Sequence, residues 1–301
     1  MPRPVDPDLL PLLAGGDQDV PRDAAEARRS AAVGALRPRV AVATVEELDA
    51  HGVPARCYDP RRDRRAGPPL PAVVWVHGGG FVTGSLDGVD DVCRAIADRA
   101  PAVVVSVEYR LAPEHPYPAG LDDVAQAVGF VCATAGELGV DPARVSVGGT
   151  SAGATLAAAV CLRARRLGAP SIASQVLVHP CIDDALETPS AREHAAGYGL
   201  TRAKMAWYWE QYLPRGLAAD PEATPGRAQD LEGLPPALVS LAECDIMRDE
   251  GLEYAERLRR AGVAVQTHVW PGMLHGFLAH AAMTPYADAA IDEIAAFVAQ
   301  S

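Results

Sequence analysis

The sequence predicts an α/β protein with an eight-stranded, mostly parallel sheet and helices on both faces. Eight short β-branched runs can be marked, and helical patterns separate them from the third run onward. This alternation is typical of a parallel sheet covered by helices. The first two runs are joined without a helix, so we expect an antiparallel edge there. The predicted strands are 39–45, 53–59, 72–77, 102–107, 144–148, 174–179, 236–241 and 264–269.

Three helical patterns support this order of elements. The stretch that follows Ser151 is Ala-rich and ends in a basic turn and a glycine, which predicts a helix over 152–167. In "GLEYAERLRRAG", Leu252, Ala255 and Leu258 share one predicted apolar face. The last helix should begin after Thr284, whose hydroxyl is a good N-cap. Each pattern gives a helix that can cover the sheet.

Charge and composition exclude several classes of partner. The chain has 301 residues, 49% of them hydrophobic and 22% charged, with a formal net charge of −12. A surface of this charge repels nucleic acids and anionic membranes, so we expect neither nucleic-acid binding nor stable membrane association. The first residues lack the apolar core of a signal peptide, and no stretch is long enough to span a bilayer. We therefore expect a cytoplasmic protein.

The six cysteines give no sign of a metal site or a disulfide framework. They form no C-x-x-C pair and show no Cys/His ligand spacing, and most of them lie in apolar runs. Buried free thiols are the expected outcome, with no metal.

Two segments interrupt the alternation of strands and helices, and the second of them predicts a cap. They are residues 1–38 and 181–235, and we expect the core to comprise 39–180 and 236–301. The second segment follows the carboxyl end of a strand, the edge where open α/β sheets bind ligands. It carries a cluster of aromatic residues, which is also typical of an ordinary core, and that alternative stays open. We expect a substrate pocket lined by Phe81, Trp207, Tyr208 and Trp209.

The stretch "VSVGGTSAGATL" places Ser151 between a strand and a helix with almost no loop. Such a junction forces unusual backbone geometry, and bulky side chains two residues to either side would clash. Gly149 and Gly153 occupy these two positions. The G-x-S-x-G pattern in this context predicts an exposed serine nucleophile at the carboxyl edge of the sheet. A phosphate-binding turn is the alternative, but no G-x-G-x-x-G spacing is present.

A serine nucleophile needs a histidine base and a carboxylate that orients it. His275 directly follows the last predicted strand, whereas His268 lies within that strand and His280 lies farther on. Asp245 follows the preceding strand and is our candidate acid. Asp183 and Asp184, at the end of the sixth strand, remain rivals.

The third predicted strand ends in "HGGGF", which predicts backbone donors for an oxyanion. Consecutive glycines let the main chain approach a substrate closely and turn its N–H groups inward. The N–H of the residue after a serine nucleophile commonly adds another donor. The candidate donors are therefore the N–H groups of the glycine run 78–80 and of Ala152.

With these motifs assembled, the chain resembles the hormone-sensitive-lipase family of α/β-hydrolase carboxylesterases. The resemblance runs from about residue 70 to the C-terminus through "HGGGF", "VEYRLAPEHPYPAGLDD", "DPARVSVGGTSAGA", "DIMRDEGLEYAERLRRAG" and "HGF". Thr150 stands where Asp is common, as in the branch marked by G-T-S-A-G. The resemblance implies Ser151 as nucleophile and Asp245 and His275 as its partners. It also implies Gly79, Gly80 and Ala152 as oxyanion donors, and a cap made of residues 1–38 and 181–235.

These residues predict a carboxylesterase that hydrolyses small, uncharged, short-acyl esters through an acyl-serine, with no cofactor. A lactone, amide or carbamate hydrolase and an acyltransferase could use the same residues, because water and another nucleophile compete for one acyl-enzyme. A non-catalytic small-molecule receptor is an alternative from a different class. Relatives in the family often dimerise, so monomer and homodimer both stay open.

Overall fold

The fold is built on one eight-stranded sheet. A computed structural model describes residues 4–14, 16, 20–31, 40–65, 67–213, 217 and 219–301. The strand order in the sheet is β1-β2-β4-β3-β5-β6-β7-β8. The strands are β1 (Thr44–Asp49), β2 (Pro54–Asp59), β3 (Leu70–Val76), β4 (Val103–Val107), β5 (Val140–Thr150), β6 (Gln175–Val178), β7 (Ala237–Cys244) and β8 (Val265–Leu274).

The sheet is parallel from β4 to β8 and antiparallel at one edge. β1 pairs with β2, and β2 with β4, in antiparallel register, so the predicted antiparallel edge is confirmed. The bounds predicted for the first strand, 39–45, were wrong: residues 40–43 are not in a strand, and β1 begins at Thr44. Residue 39 lies outside the described residues. The apolar alternation before Thr44 resembles a strand, but the pairing with β2 places the strand over "TVEELD".

Helices cover both faces of the sheet, and each face has its own apolar core. One core joins residues of α4, α6 and α9 to the sheet, and the other joins residues of α3 and α10 to it. The helices are α1 (Leu10–Leu13), α2 (Ala24–Ala31), α3 (Asp90–Arg99), α4 (Ala119–Ala133), α5 (Ala135–Leu138), α6 (Ala152–Leu167), α7 (Pro189–Glu193), α8 (Arg202–Tyr212), α9 (Arg248–Arg260) and α10 (Pro285–Gln300).

Two helix ends agree with the local chemistry of the sequence. α6 ends before Gly168, whose φ of 72° gives the left-handed turn that closes many helices. α10 begins after Thr284, whose side chain accepts a hydrogen bond from the N–H of Tyr286.

The predicted inner face of α9 is partly wrong. Ala255 and Leu258 are fully buried, but Leu252 is 37% exposed. The inner face instead begins at Gly251, where the helix lies against Leu241. Because each residue turns a helix by about 100°, the next side chain is directed away from the sheet.

The two segments predicted as a cap lie outside the sheet. Residues 181–235 contain α7, α8 and a short 3₁₀ turn but no strand among their described positions, and α1 and α2 belong to the N-terminal segment. In the part of the chain that the structure describes, no helix combines the length and the apolar character needed to cross a bilayer. All six cysteines are free, and all but Cys132 are buried.

Candidate active site

Ser151 lies at a sharp junction between β5 and α6. Its backbone has φ 54° and ψ −123°, a conformation that L-residues rarely adopt. The bend is held because the N–H of Ser151 donates to the carbonyl of Val178 at 2.9 Å, on the neighbouring strand β6. The hydroxyl thereby stands at the carboxyl edge of the sheet, beside a cavity.

The two glycines that flank this junction are required by close backbone packing. A Cβ atom on Gly149 would overlap the carbonyl oxygen of Val76 and the backbone of Gly153. A Cβ on Gly153 would overlap the carbonyls of Val76 and His77. Because both obstacles are backbone atoms, no change of rotamer could relieve the overlap. The physical reason given for the G-x-S-x-G pattern therefore holds in the structure.

Ser151, His275 and Asp245 form a continuous chain of hydrogen bonds. Nε2 of His275 lies 2.9 Å from Oγ of Ser151, and Nδ1 of His275 lies 2.7 Å from Oδ2 of Asp245. An ionised Asp245 accepts only, so Nδ1 carries the proton and Nε2 can accept from the serine hydroxyl. His275 follows β8 directly, and Gly276 next to it has φ 80°.

Asp245 is buried and yet held in its charged form. Burial favours the neutral acid, but the charge and the hydrogen bond of His275 outweigh burial and lower the pKa of Asp245. The N–H of Met247 adds to this effect by donating to Oδ1 at 3.0 Å. A carboxylate in this setting fixes the orientation of the imidazole and stabilises its protonated form.

The alternative candidates for the acid and the base do not lie beside Ser151. Asp183 and Asp184 form ion pairs with Arg227, at 2.9 and 2.5 Å. His268 faces Glu293 at 3.2 Å, within strand β8. The structure thus brings Asp245, and neither rival acid, to His275.

The glycine-rich turn after β3 faces the same cavity as Ser151. Gly79 and Gly80 line it. Among the described residues, the N–H groups of Gly79, Gly80 and Ala152 have no protein acceptor. Gly79 has φ 118°, and a Cβ on Gly80 would overlap the ring of Tyr208. Amide groups held in this way can stabilise negative charge that develops on a carbonyl oxygen.

Comparisons with known proteins agree with this arrangement. The sequence profile of a family described as alpha/beta hydrolase fold matches residues 73–279. Carboxylesterase NlhH of Mycobacterium tuberculosis is 44% identical over 248 residues, which cover 78% of this chain and 74% of the relative. The chain belongs to the hormone-sensitive-lipase family of α/β hydrolases. It is a carboxylic ester hydrolase.

Two further comparisons extend the likeness. Ethyl acetate hydrolase of Pseudomonas putida is 37% identical over 245 residues, which cover 80% of this chain and 76% of the relative. The solved structure of an esterase from Pyrobaculum calidifontis matches with a TM-score of 0.90 at 37% identity, and covers 99% of both chains. The fold of this hydrolase is therefore shared over almost its whole length.

The inner cavity of the hydrolase, with a volume of about 300 Å³, adjoins Ser151. Of the four aromatic residues predicted to line a pocket, Tyr208 does so. Phe81 instead packs within the core, stacked on Tyr212 at 3.8 Å and 5.1 Å from the ring of Trp209. Trp207 meets Tyr208 edge to face without lining the cavity. Consecutive residues of a helix cannot all face one side, so of these aromatic residues of α8 only Tyr208 lines the cavity.

An outer cavity of about 720 Å³ continues from the inner one. The two share Val92, Tyr208 and His275 among their lining residues. Residues of α1, α2 and α8 cover the outer cavity.

Arg28 of α2 connects this cover to the core of the protein. It donates hydrogen bonds to the carbonyl oxygens of Val82 and Ala112, at 3.0 and 3.1 Å, and it pairs with Glu114. Val82 lies two residues beyond Gly80, so the N-terminal segment is attached beside the glycine-rich turn.

His179 is a residue of the site that the sequence analysis did not single out. It follows β6, lines the inner cavity and lies 4.3 Å from the ring of His275. Neither of its ring nitrogens has a hydrogen-bond partner among the described residues. Burial, and then the charge of His275, lower the pKa of His179 to about 3, so it is neutral at physiological pH. Its place at the end of the strand beside β5 is the signal that could have revealed it.

His179, Asp245 and His275 bring potential metal ligands within 4.8 Å of one another. Asp245 and His275 are already bonded to each other, and His275 also faces Ser151. The donor set is thus explained by the hydrogen-bonded chain, and we derive no metal-dependent step from it.

Proposed function

We propose that this hydrolase cleaves small, uncharged carboxylic esters through an acyl-enzyme formed on Ser151. The observation that supports this most directly is the chain of hydrogen bonds from Ser151 through His275 to Asp245, beside the glycine-rich turn. A hydroxyl, a base and oriented amide donors at one cavity are the groups that acyl transfer requires.

In the first half of the reaction, His275 removes the proton of Ser151 as the serine oxygen attacks the ester carbonyl. The carbonyl oxygen becomes an anion, which accepts hydrogen bonds from the N–H groups of Gly79, Gly80 and Ala152. The imidazolium then gives its proton to the leaving alkoxide, and the C–O bond of the ester breaks. Asp245 stabilises the imidazolium throughout.

In the second half, a water molecule replaces the alcohol. His275 accepts a proton from this water as its oxygen attacks the acyl carbonyl, and the same amide groups stabilise the second anion. Collapse of that intermediate returns the proton to Ser151 and releases the acid. No step needs a metal or an organic cofactor.

The size of the inner cavity supports a preference for short acyl chains. About 300 Å³ next to Ser151 is at the low end of the range for small-molecule sites. The relative named ethyl acetate hydrolase supports the same substrate class. We further propose that residues 1–38 and 181–235 act as a cap over this cavity, since α2 and Tyr208 cover it. The cytoplasmic location stays a prediction, and the oligomeric state stays open.

The proposal is tested with Ser151→Ala and a panel of p-nitrophenyl esters from acetate to decanoate. Loss of the nucleophile should lower kcat by about 10⁴- to 10⁶-fold while the thermal unfolding curve is unchanged. The matched control is Ser85→Ala, which removes another hydroxyl that lines the same cavity and should keep turnover. A phosphonate ester should label the wild-type protein once, at Ser151, as read by peptide mass.

Turnover by Ser151→Ala at the wild-type rate would refute the acyl-serine mechanism. Lactones, amides, carbamates and an added alcohol acceptor belong in the same panel. A protein that is labelled by the phosphonate but prefers one of these would be a specialised hydrolase or an acyltransferase.

A further inference from the structure

Asp91, near the start of α3, has a side chain without a hydrogen-bond partner among the described residues. It is 6% exposed and lines the outer cavity. Within the part of the chain that the structure describes, no hydrogen bond or ion pair reaches its side chain, whereas the neighbouring Asp90 makes several. A carboxylate that has no protein partner can accept hydrogen bonds from a bound molecule. Such a group at a cavity wall is best explained by a ligand that completes it.

The adjacent residue, Asp90, has a carboxylate whose hydrogen-bond partners lie within the protein. Asp90 accepts a hydrogen bond from Tyr58 at 3.0 Å and pairs with Arg56 at 3.2 Å and Arg94 at 2.7 Å. It therefore meets the preference of a helix N-terminus for negative charge. A second carboxylate at the same end, turned toward the cavity, is not needed for that purpose.

The other charged groups of the outer cavity have partners of their own. Glu26 pairs with Arg22, and Asp87 pairs with Arg56. Lys204, whose Nζ lies 5.8 Å from the centre of the Tyr208 ring, adds one positive charge. Among the described acidic residues that line this cavity, Asp91 alone is left to interact with a bound molecule.

The position of His275 decides which part of an ester would reach Asp91. The leaving oxygen must lie close to Nε2 of His275, because this atom returns the proton to it. The outer cavity includes His275 but neither Ser151 nor the glycine-rich turn. An alcohol portion that leaves beside His275 can therefore extend into the outer cavity, while the acyl portion stays beside Ser151.

We propose that Asp91 selects esters whose alcohol portion carries a hydrogen-bond donor, a hydroxyl or an ammonium group, at its far end. The proposal rests on the function proposed above and adds the substrate class. Esters with a hydroxyl group fit the proposed class of uncharged substrates. Esters with an ammonium group would be attracted by the formal net charge of −12 of the protein. Both donate to a carboxylate, and the experiment separates them.

The test uses butyrate esters of equal shape that differ at one terminal group. Hexyl, 5-hydroxypentyl and 5-aminopentyl butyrate end in a methyl, a hydroxyl and an ammonium, and the corresponding sets with shorter and longer chains bracket the unknown distance. The measured quantity is the ratio of kcat/KM for each donor ester to that for its methyl counterpart. Asp91→Asn should lower the ratio of the preferred set by about tenfold, since hydrogen bonds to charged groups contribute at this scale.

Two controls make the result specific. Asp87→Asn removes the same charge from the same cavity, but from a residue that is paired with Arg56, and it should leave the ratio unchanged. Turnover of hexyl butyrate reports whether each variant is folded, and Asp91→Ser is a second variant suited to a helix N-terminus. A response confined to the hydroxyl or to the ammonium esters identifies the donor.

An unchanged ratio in both Asp91 variants at every chain length would overturn the inference. An equal effect of Asp87→Asn would overturn it as well, because the effect would then be general electrostatics. If the wild-type protein hydrolyses hexyl butyrate but shows no dependence on Asp91, the proposed function stands and only this inference fails. If it hydrolyses none of the esters, both fail.

Discussion

The two walls of the inner cavity are built by different means. We call Gly79, Ser151 and His275 the sheet wall, and Ala31, Met205 and Tyr208 the cap wall. Every member of the sheet wall directly follows a strand or lies in the turn after one. The members of the cap wall lie on α2 and α8, which are placed by side-chain packing. Chemistry is thus fixed by the backbone of the sheet, and the shape of the cavity by helices that lie on it.

This difference explains why the sheet wall tolerates so little change. Ser151 has a backbone conformation held by β6, and a Cβ on either flanking glycine would overlap the carbonyl oxygen of Val76. On the cap wall, a side chain of another size in place of Tyr208 would not disturb a strand. We therefore expect substitutions in the sheet wall to affect rate and folding, and substitutions in the cap wall to affect substrate preference.

After the loss of Ser151 itself, the largest expected effect is the loss of the carboxylate that contacts His275. Asp245→Asn should lower kcat by about 10⁴-fold, because an amide no longer fixes the tautomer or stabilises the imidazolium. Steady-state hydrolysis of p-nitrophenyl butyrate measures this. Asp183→Asn, whose native partner is Arg227, should keep kcat within a few-fold. A large loss in Asp183→Asn with little change in Asp245→Asn would show that the wrong acid had been assigned to His275.

The next largest effect is expected when one methyl group is added at the junction between β5 and α6. Gly153→Ala forces a Cβ onto two backbone carbonyls and should lower the free energy of unfolding by about 3 kcal/mol. Gly129→Ala is the control, because Gly129 lies in α4 with nothing within 4 Å of an added Cβ. It should stabilise the protein by about 0.5 to 1 kcal/mol. Urea unfolding measures both, and equal effects would refute the packing argument.

Two buried histidines that line the inner cavity make the stability of the protein sensitive to acid. Burial lowers the pKa of His179 to about 3 and that of His77 to about 4, from 6.5. The unfolded chain then binds more protons below pH 6.5, so stability is full above that pH and is lost as the pH falls toward the folded pKa. His179→Phe should remove about 2 kcal/mol of the difference in unfolding free energy between pH 7 and pH 4.5.

The control for this experiment is His115→Gln, which removes an exposed imidazole and should leave the pH dependence as it is. Urea unfolding at the two pH values gives the comparison. A wild-type protein that is equally stable at pH 7 and pH 4.5 would contradict the conclusion that His77 and His179 are buried and neutral.

The smallest expected effect belongs to the cap wall. Tyr208→Ala enlarges the cavity and should raise kcat/KM for hexanoate over butyrate by about tenfold, with little change in the butyrate rate. Trp207→Ala is the matched control, since this neighbouring ring does not line the cavity. A similar shift in both variants would mean that α8 acts as a whole rather than through one side chain.

Site residues whose positions depend on local backbone geometry could be predicted from the sequence. The glycines at 149 and 153, the strand-to-helix junction at Ser151 and the strand ends before Asp245 and His275 are local patterns, and the structure brings these side chains together. Their roles in catalysis stay proposals until the variants are measured.

Residues set by packing were not accessible in the same way. The sequence shows that α8 is aromatic but not which ring faces the substrate, since this depends on how the helix lies on the sheet. His179 was missed because a histidine at a strand end has no local motif. Likewise, Leu252 was placed in the core by periodicity alone, although the glycine before it occupies the contact with Leu241.

Arg28 gives the N-terminal helix a mechanical link to the reaction centre. Its hydrogen bonds to Val82 and Ala112 join α2 to the segment that continues from the glycine-rich turn. An outward swing of α2 must therefore either break these bonds or drag that segment with it. A movement of α2 that admits a bulky molecule would in this way act, through one guanidinium, on the segment next to the amide groups.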